Sequence, residues 1–125
     1  MAAPAQQRGY VASDPADFVG ETVSVIQLIA SPLTYSGKKV RLVAYLSFDF
    51  EGEALYLHKE DYDNGVSLNA IRIAIPDGLS QAERKVLDKR YVICDGTFVA
   101  SKNHSREEIF ANGTLVRITR IQSWH

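Results

Sequence analysis

From Lys39 to Glu51 the chain alternates without a break. Val40, Leu42, Ala44, Leu46, Phe48 and Phe50 fall on one face, and Lys39, Arg41, Val43, Tyr45, Ser47, Asp49 and Glu51 fall on the other. Apolar residues at every second position define a strand with one face against a core, and a one-residue slip would turn that whole set to water. So long a run fixes its own register and demands a sheet around it. Ala44, small and mid-strand, is a place where such a strand can bend.

The flanking sequence supplies the partners. Glu51-Gly52-Glu53 reverses the chain, and Leu55–Leu57 continues as a second strand of a hairpin. HKEDYDNGVSLN reads as a polar loop, with Asn64-Gly65 a turn signal. Ala70–Ile75 is a third strand, with Ile71, Ile73 and Ile75 inward. Pro76-Asp77-Gly78 breaks the sheet. Ser80 followed by Glu83 is a capping box, so a helix starts there, with Leu79, Ala82, Val86 and Leu87 as its apolar stripe. Tyr91–Ala100 is a fourth strand, in which Gly96 marks a bulge or bend. SKNHSREEIFANG is a loop, and Thr114–Ile121 a fifth strand.

Upstream, Val25, Ile26, Leu28, Ile29 and Ala30 recur at helical spacing behind a Ser24 cap, and Pro32 ends the run; a β-branched strand is the alternative there. Residues 1–20 show no sustained periodicity and read as a flexible N-terminal tail that packs locally through Tyr10 and Phe18, with 21–125 as one domain. Strand, strand, strand, helix, strand, strand predicts a mainly β fold with one or two short helices, a five-stranded OB-like barrel. An open α+β roll of the same elements is the alternative.

Composition narrows the function. The chain has 125 residues, 46% of them hydrophobic, and a formal net charge of -1, so no global field draws phosphates or anionic lipid. Cys94 is the only cysteine and sits in an apolar run, which excludes an internal disulfide and a cysteine-rich zinc site. No stretch reaches the ~20 apolar residues of a membrane-spanning helix, so no membrane insertion is expected. The first residues lack a basic segment followed by an apolar core and are not read as a signal peptide. The compartment is unknown: cytoplasmic as the sequence stands, periplasmic if a leader was removed.

The segments SPLTYSGKKVRLVAYL, FEGEALYLHKEDYDNG, YVICDGTFVA and GTLVRITRI together resemble small bacterial OB-fold-like proteins, mostly uncharacterised. The resemblance covers about residues 22–122 and implies the barrel more than any activity. In that pattern a glycine stands where this chain has Ala44. A short His-x-Gly-x-aromatic-x-Gly run precedes the last strand, where this chain has the longer, more charged His104–Gly113.

Chemistry is sparse. There is no nucleophile motif and no phosphate-binding loop, so no enzyme activity is expected. Asp61-x-Asp63-Asn64-Gly65 glances at a calcium loop, but the positions that need Gly and Glu hold Val66 and Arg72. His58, His104, His125 and Cys94 share no zinc spacing, so neither metal nor cofactor is expected. His58–Asp61 mixes a base, a cation and acids, yet adjacent strand residues point apart, which favours a solvated surface.

What stands out is acid beside tyrosine. Asp49, Glu51, Glu60, Asp61 and Asp63 surround Tyr45, Tyr56, His58 and Tyr62. Carboxylates repel a phosphate backbone, and counterion release needs a cationic groove. The reading is therefore a non-enzymatic module that contacts a basic protein partner. Tyr45, Tyr56 and Tyr62 would anchor the contact, and the acids would steer the encounter. His104, Arg106 and Phe110 would contribute from the neighbouring loop. A bacterial immunity or inhibitor protein that plugs a toxin is the finer form. Two alternatives remain: a nucleic-acid-binding OB module using Lys38, Lys39, Arg41, Arg72, Arg117 and Arg120, and a periplasmic small-molecule or ion-binding domain.

Overall fold

The protein is described from a computed structural model, over residues 9–49, 52–101 and 112–124. Among these residues, besides two 3-10 turns at Pro15–Asp17 and Ser67–Asn69, seven strands and four short α-helices follow in order. They are β1 (Gly9–Val11), β2 (Glu21–Thr22), α1 (Val25–Ala30), α2 (Pro32–Tyr35), β3 (Lys39–Ser47), β4 (Ala54–Tyr56), α3 (Lys59–Asp63), β5 (Ala70–Ile73), α4 (Gln81–Leu87), β6 (Arg90–Ala100) and β7 (Gly113–Ser123).

Five of the strands close a ring. β3 pairs with β4, β4 with β5, β5 with β7, β7 with β6, and β6 returns to β3; only the β5–β7 pair within the ring is parallel. With α4 between the third and fourth barrel strands, this is the five-stranded OB-like barrel. Closure excludes the open roll.

β3 obeys its alternation on the inner face. Val40, Leu42, Ala44 and Leu46 are all but sealed from solvent. They meet Ile71 and Ile73 from β5, Cys94 and Phe98 from β6, and Leu115 and Ile121 from β7. α1 forms as expected. Ser24 Oγ accepts from Gln27 N at 3.3 Å, Gln27 Oε1 accepts from Ser24 N at 2.9 Å, and Val25 and Leu28 are buried. α4 starts on the Ser80–Glu83 capping box. Leu87 is its buried residue and Leu79 is buried just before the cap, while Ala82, expected on the stripe, is exposed.

Three differences from the sequence reading have physical causes. β3 ends at Ser47, and Phe48 packs only partly against the core. Phe50 lies outside the described residues. The expected loop after β4 contains α3. Part of the expected tail belongs to the sheet, since β1 pairs antiparallel with β7; β2, at the start of the expected domain, pairs parallel with β3. β4 and β5 are too short to cover β3 and β7 along their length, so β1 and β2 satisfy backbone groups that would otherwise be a bare edge. Tyr10 packs against the core from β1, as expected of it.

Gly96 is the bend. Asp95 faces Arg120 and Thr97 faces Val116, so β7 carries extra residues opposite Gly96. A Cβ at Gly96 would stand 2.8 Å from Ile118 Cδ1 and 2.9 Å from the Val116 carbonyl oxygen, so only glycine lets the bulge close.

Candidate partner-binding face

α3 is too short to hold itself together, because a single turn returns few hydrogen bonds for the residues it orders. Side chains fix it instead. The Asp61 carboxylate accepts from His58 N at 3.1 Å and from Asn69 Nδ2 at 3.0 Å. Lys59 Nζ meets Asp63 at 2.6 Å, one turn on. Lys59 N donates to the Tyr91 hydroxyl at 3.0 Å, which ties the helix to β6.

Tyr62 then covers the outer face of the barrel. Its ring centre lies 5.8 Å from that of Tyr45 and 5.4 Å from that of Tyr56, and Tyr91 stands 5.3 Å from Tyr45. Tyr45, Ala54, Tyr56 and Ala70 form a second, small core beneath it. The Tyr62 hydroxyl donates to Asp49 at 2.6 Å, and Lys89 Nζ, 4.7 Å above the Tyr62 ring, donates to Asp49 at 2.7 Å. Lys89 takes a left-handed φ of 59° just past α4, a conformation common where helices end.

These contacts set the charges. The bonds from Lys89 and then from Tyr62 hold the Asp49 carboxyl below its ordinary pKa. Burial opposes the Lys89 ammonium, but its bonds to Asp49, Asp88 and Tyr62 outweigh that and raise it. Burial pushes the Tyr45 phenol up.

The sequence placed three tyrosines at the surface as anchors. Tyr45 is 4% exposed and Tyr56 8%, so neither can anchor a partner from outside. The cause is α3, which covers a face that β-alternation alone leaves to solvent. Tyr62 is half-buried, and its hydroxyl is already engaged. The acids divide. Asp49 and Asp63 are ion-paired and Asp61 is a cap, whereas Glu60 is exposed with no ion pair among the described residues. His58 is exposed, 3.9 Å from Asp61. Glu51, His104, Arg106 and Phe110 lie outside the described residues.

The sequence reading missed the neighbours that are exposed. Tyr91 is 37% and Trp124 39% exposed. With Tyr45, Lys59, Lys89, Arg90 and Ser123 they line a shallow cleft of about 270 Å³ beside α3. The signal was present in Lys89-Arg90-Tyr91, cations and a ring directly after an amphipathic helix, and in Trp124 just past the last strand.

Of the cations named for the nucleic-acid alternative, three are engaged or buried, while Lys39 and Arg117 are exposed. Arg41 binds Asp95 through Nε at 2.7 Å and through a terminal nitrogen at 2.9 Å, which raises its pKa, and Lys38 pairs with Glu21 at 3.8 Å. Arg120 is buried, with no hydrogen-bond partner for its Nε among the described residues. Among the described residues no group of His, Cys, Asp or Glu is placed to hold a metal, and no helix is long and apolar enough to cross a membrane.

No family model matches the chain, and no curated protein matches it. Among solved structures it is similar to a chain described as an aspartyl-tRNA synthetase from Leishmania major Friedlin. The TM-score is 0.50 at 11% identity, over 98% of this chain and 23% of that one. The chain thus spans less than a quarter of that protein's length, and at this identity the likeness carries the fold alone.

Proposed function

We propose that this OB-like barrel is a non-enzymatic binding module that contacts a basic protein partner through α3 and the exposed rings of Tyr91 and Trp124 beside it. The observation that carries this reading is the second core. An OB barrel offers the outer face of its middle strands and the nearby loops to ligands, and here Tyr62 occupies that face. What remains outward is α3, which presents Glu60 and, in its pair with Lys59, Asp63, bordered by the exposed rings of Tyr91 and Trp124. Aromatic anchors beside carboxylates suit a cationic protein surface. An immunity or inhibitor protein set against a basic toxin is the finer form of the proposal.

Charge reversal tests it. Glu60→Lys with Asp63→Lys should weaken the complex and flatten its salt dependence, while Tyr91→Ala should speed dissociation. Asp61 is left intact because reversing it would dismantle α3. Unchanged affinity in the double reversal defeats the reading.

A second reading has one observation in its favour. The cleft joins Arg90, Lys59 and Lys89 to the rings of Tyr91 and Trp124, the ingredients of a single-strand stacking site, and the structural neighbour is named as a tRNA synthetase. Against it, Asp63 holds Lys59, and Asp49 and Asp88 hold Lys89, so Arg90 is the cleft cation left without an ion pair among the described residues.

A further inference from the structure

At the other end of β3, about 20 Å from Tyr45 at ~3.3 Å per residue, the molecule has a larger cavity of about 540 Å³. One wall is the segment 13–19, with Ser13, Asp14, Asp17, Phe18 and Val19. The other is the bulged sheet, with Lys39, Gly96, Thr97, Arg117 and Thr119 around Asp95. We propose that this cavity binds a short peptide with free termini, its carboxylate on Lys39 and Arg117 and its amino group on Asp14 and Asp17.

The bulge is the first support. Extra residues in β7 opposite Gly96 turn Arg117 and Thr119 into the cavity lining, and Arg117 holds a left-handed φ of 48° to do so. A non-glycine residue in that region stores strain, which persists where the surroundings over-determine it and gathers at ligand sites. Bulges re-aim side chains in the same way.

Charge is the second. Lys39 and Arg117 are exposed and make no ion pair among the described residues. Asp17 makes none either, and Asp14 uses one oxygen to accept from Ala16 N at 2.9 Å. Asp95 is already neutralised by Arg41. Cations thus stand on the sheet wall and carboxylates on the facing segment. A lone anion would meet Asp14 and Asp17, and a lone cation would meet Lys39 and Arg117; a ligand with both charges satisfies both walls. The volume suits a few residues rather than a single ion. Phe18 and Val19 give its backbone an apolar side, and the Ser13, Thr97 and Thr119 hydroxyls can meet its peptide groups.

Preorganisation is the third. Arg41 binds Asp95, donates to the Pro15 carbonyl at 2.7 Å and stacks 4.5 Å from the centre of the Phe18 ring. One side chain therefore fixes the facing wall to the sheet, so the cavity stands without a ligand.

The test is a titration of the whole chain with trialanine, followed by the backbone amide signals of Asp17, Thr97 and Thr119 in heteronuclear NMR. N-acetyl-trialanine, trialanine amide and inorganic phosphate serve as comparisons. Trialanine should give saturable shifts, and capping either end should weaken binding about tenfold or more, the worth of one charge-assisted contact. Arg117→Gly should cost as much while keeping the fold, since glycine accepts that φ. Asp17→Asn should abolish the discrimination against the N-acetyl form. The proposal is overturned by no saturable shift up to about 10 mM, the weak end of specific binding, by capped peptides binding as well as the free one, or by phosphate competing at equal strength. None of these residues touches α3, so this result and that of the partner contact are independent.

Discussion

Removing the Tyr62 hydroxyl isolates the lock that holds α3 on the barrel. Tyr62→Phe keeps the ring between Tyr45 and Tyr56 and loses the 2.6 Å bond to Asp49. A hydrogen bond to a charged group is worth about 1.5–3 kcal/mol, but Asp49 is half exposed and retains Lys89, so the expected cost is about 1 kcal/mol. Tyr62→Ala also removes a half-buried ring over the second core. Full truncation of a buried aromatic costs about 3–5 kcal/mol, so about half of that on top brings the total to about 3. For 125 residues each kcal/mol is about 4 °C in Tm. Urea and thermal unfolding followed by Trp124 fluorescence measure both variants. The bond also has a pH dependence. Asp49 has a depressed pKa in the folded state, so its stabilisation is complete above the unfolded value of about 3.9 and is lost as pH falls through the folded one. The gap between the parent protein and Tyr62→Phe should therefore be full at pH 7 and shrink below about pH 4. A Phe variant within about 0.3 kcal/mol of the parent, with an Ala variant no worse, would refute the idea that Tyr62 is a lock.

Arg41→Met leaves the buried Asp95 carboxylate without its two-point partner and should cost about 3 kcal/mol, the lower end for a broken buried pair because Arg41 is partly exposed; Arg41→Met with Asp95→Leu should recover most of it. Urea unfolding of the double-mutant cycle measures this, and a single-variant cost below about 1 kcal/mol contradicts it. Cys94 has no exposed surface, and burial pushes its thiol up. A thiol reagent should label it only as fast as the chain unfolds, and rapid labelling of the native protein would contradict the packing.

The barrel was legible because its strongest signals are local. The β3 alternation, the Ser24 cap, the Ser80 capping box and Gly96 each specify an element from a few adjacent residues. What escaped depends on distant partners. β1 and β2 have too few residues to show a period and exist because β7 and β3 need neighbours. α3 lacks an apolar stripe, since Tyr62 alone faces the barrel and the rest of its sequence is charged. That one helix also reversed the surface reading. Tyr45 and Tyr56 alternate as outward residues and are buried by it, while Tyr91 and Trp124, which read as ordinary strand and terminal residues, stay exposed. The acidity itself was visible, but not its pairing: Lys89 and Arg84 reach Asp49 and Glu53 from the α4 side of the fold.

The central claim, a protein contact at α3, is tested most directly by immobilising the chain, passing over it a lysate of its own source at low and at moderate salt, and identifying by mass spectrometry what is retained. The account predicts one stoichiometric basic protein, lost as salt rises and absent from a column bearing Glu60→Lys with Asp63→Lys. A column that retains only nucleic acid, or nothing that the charge reversal removes, would contradict it.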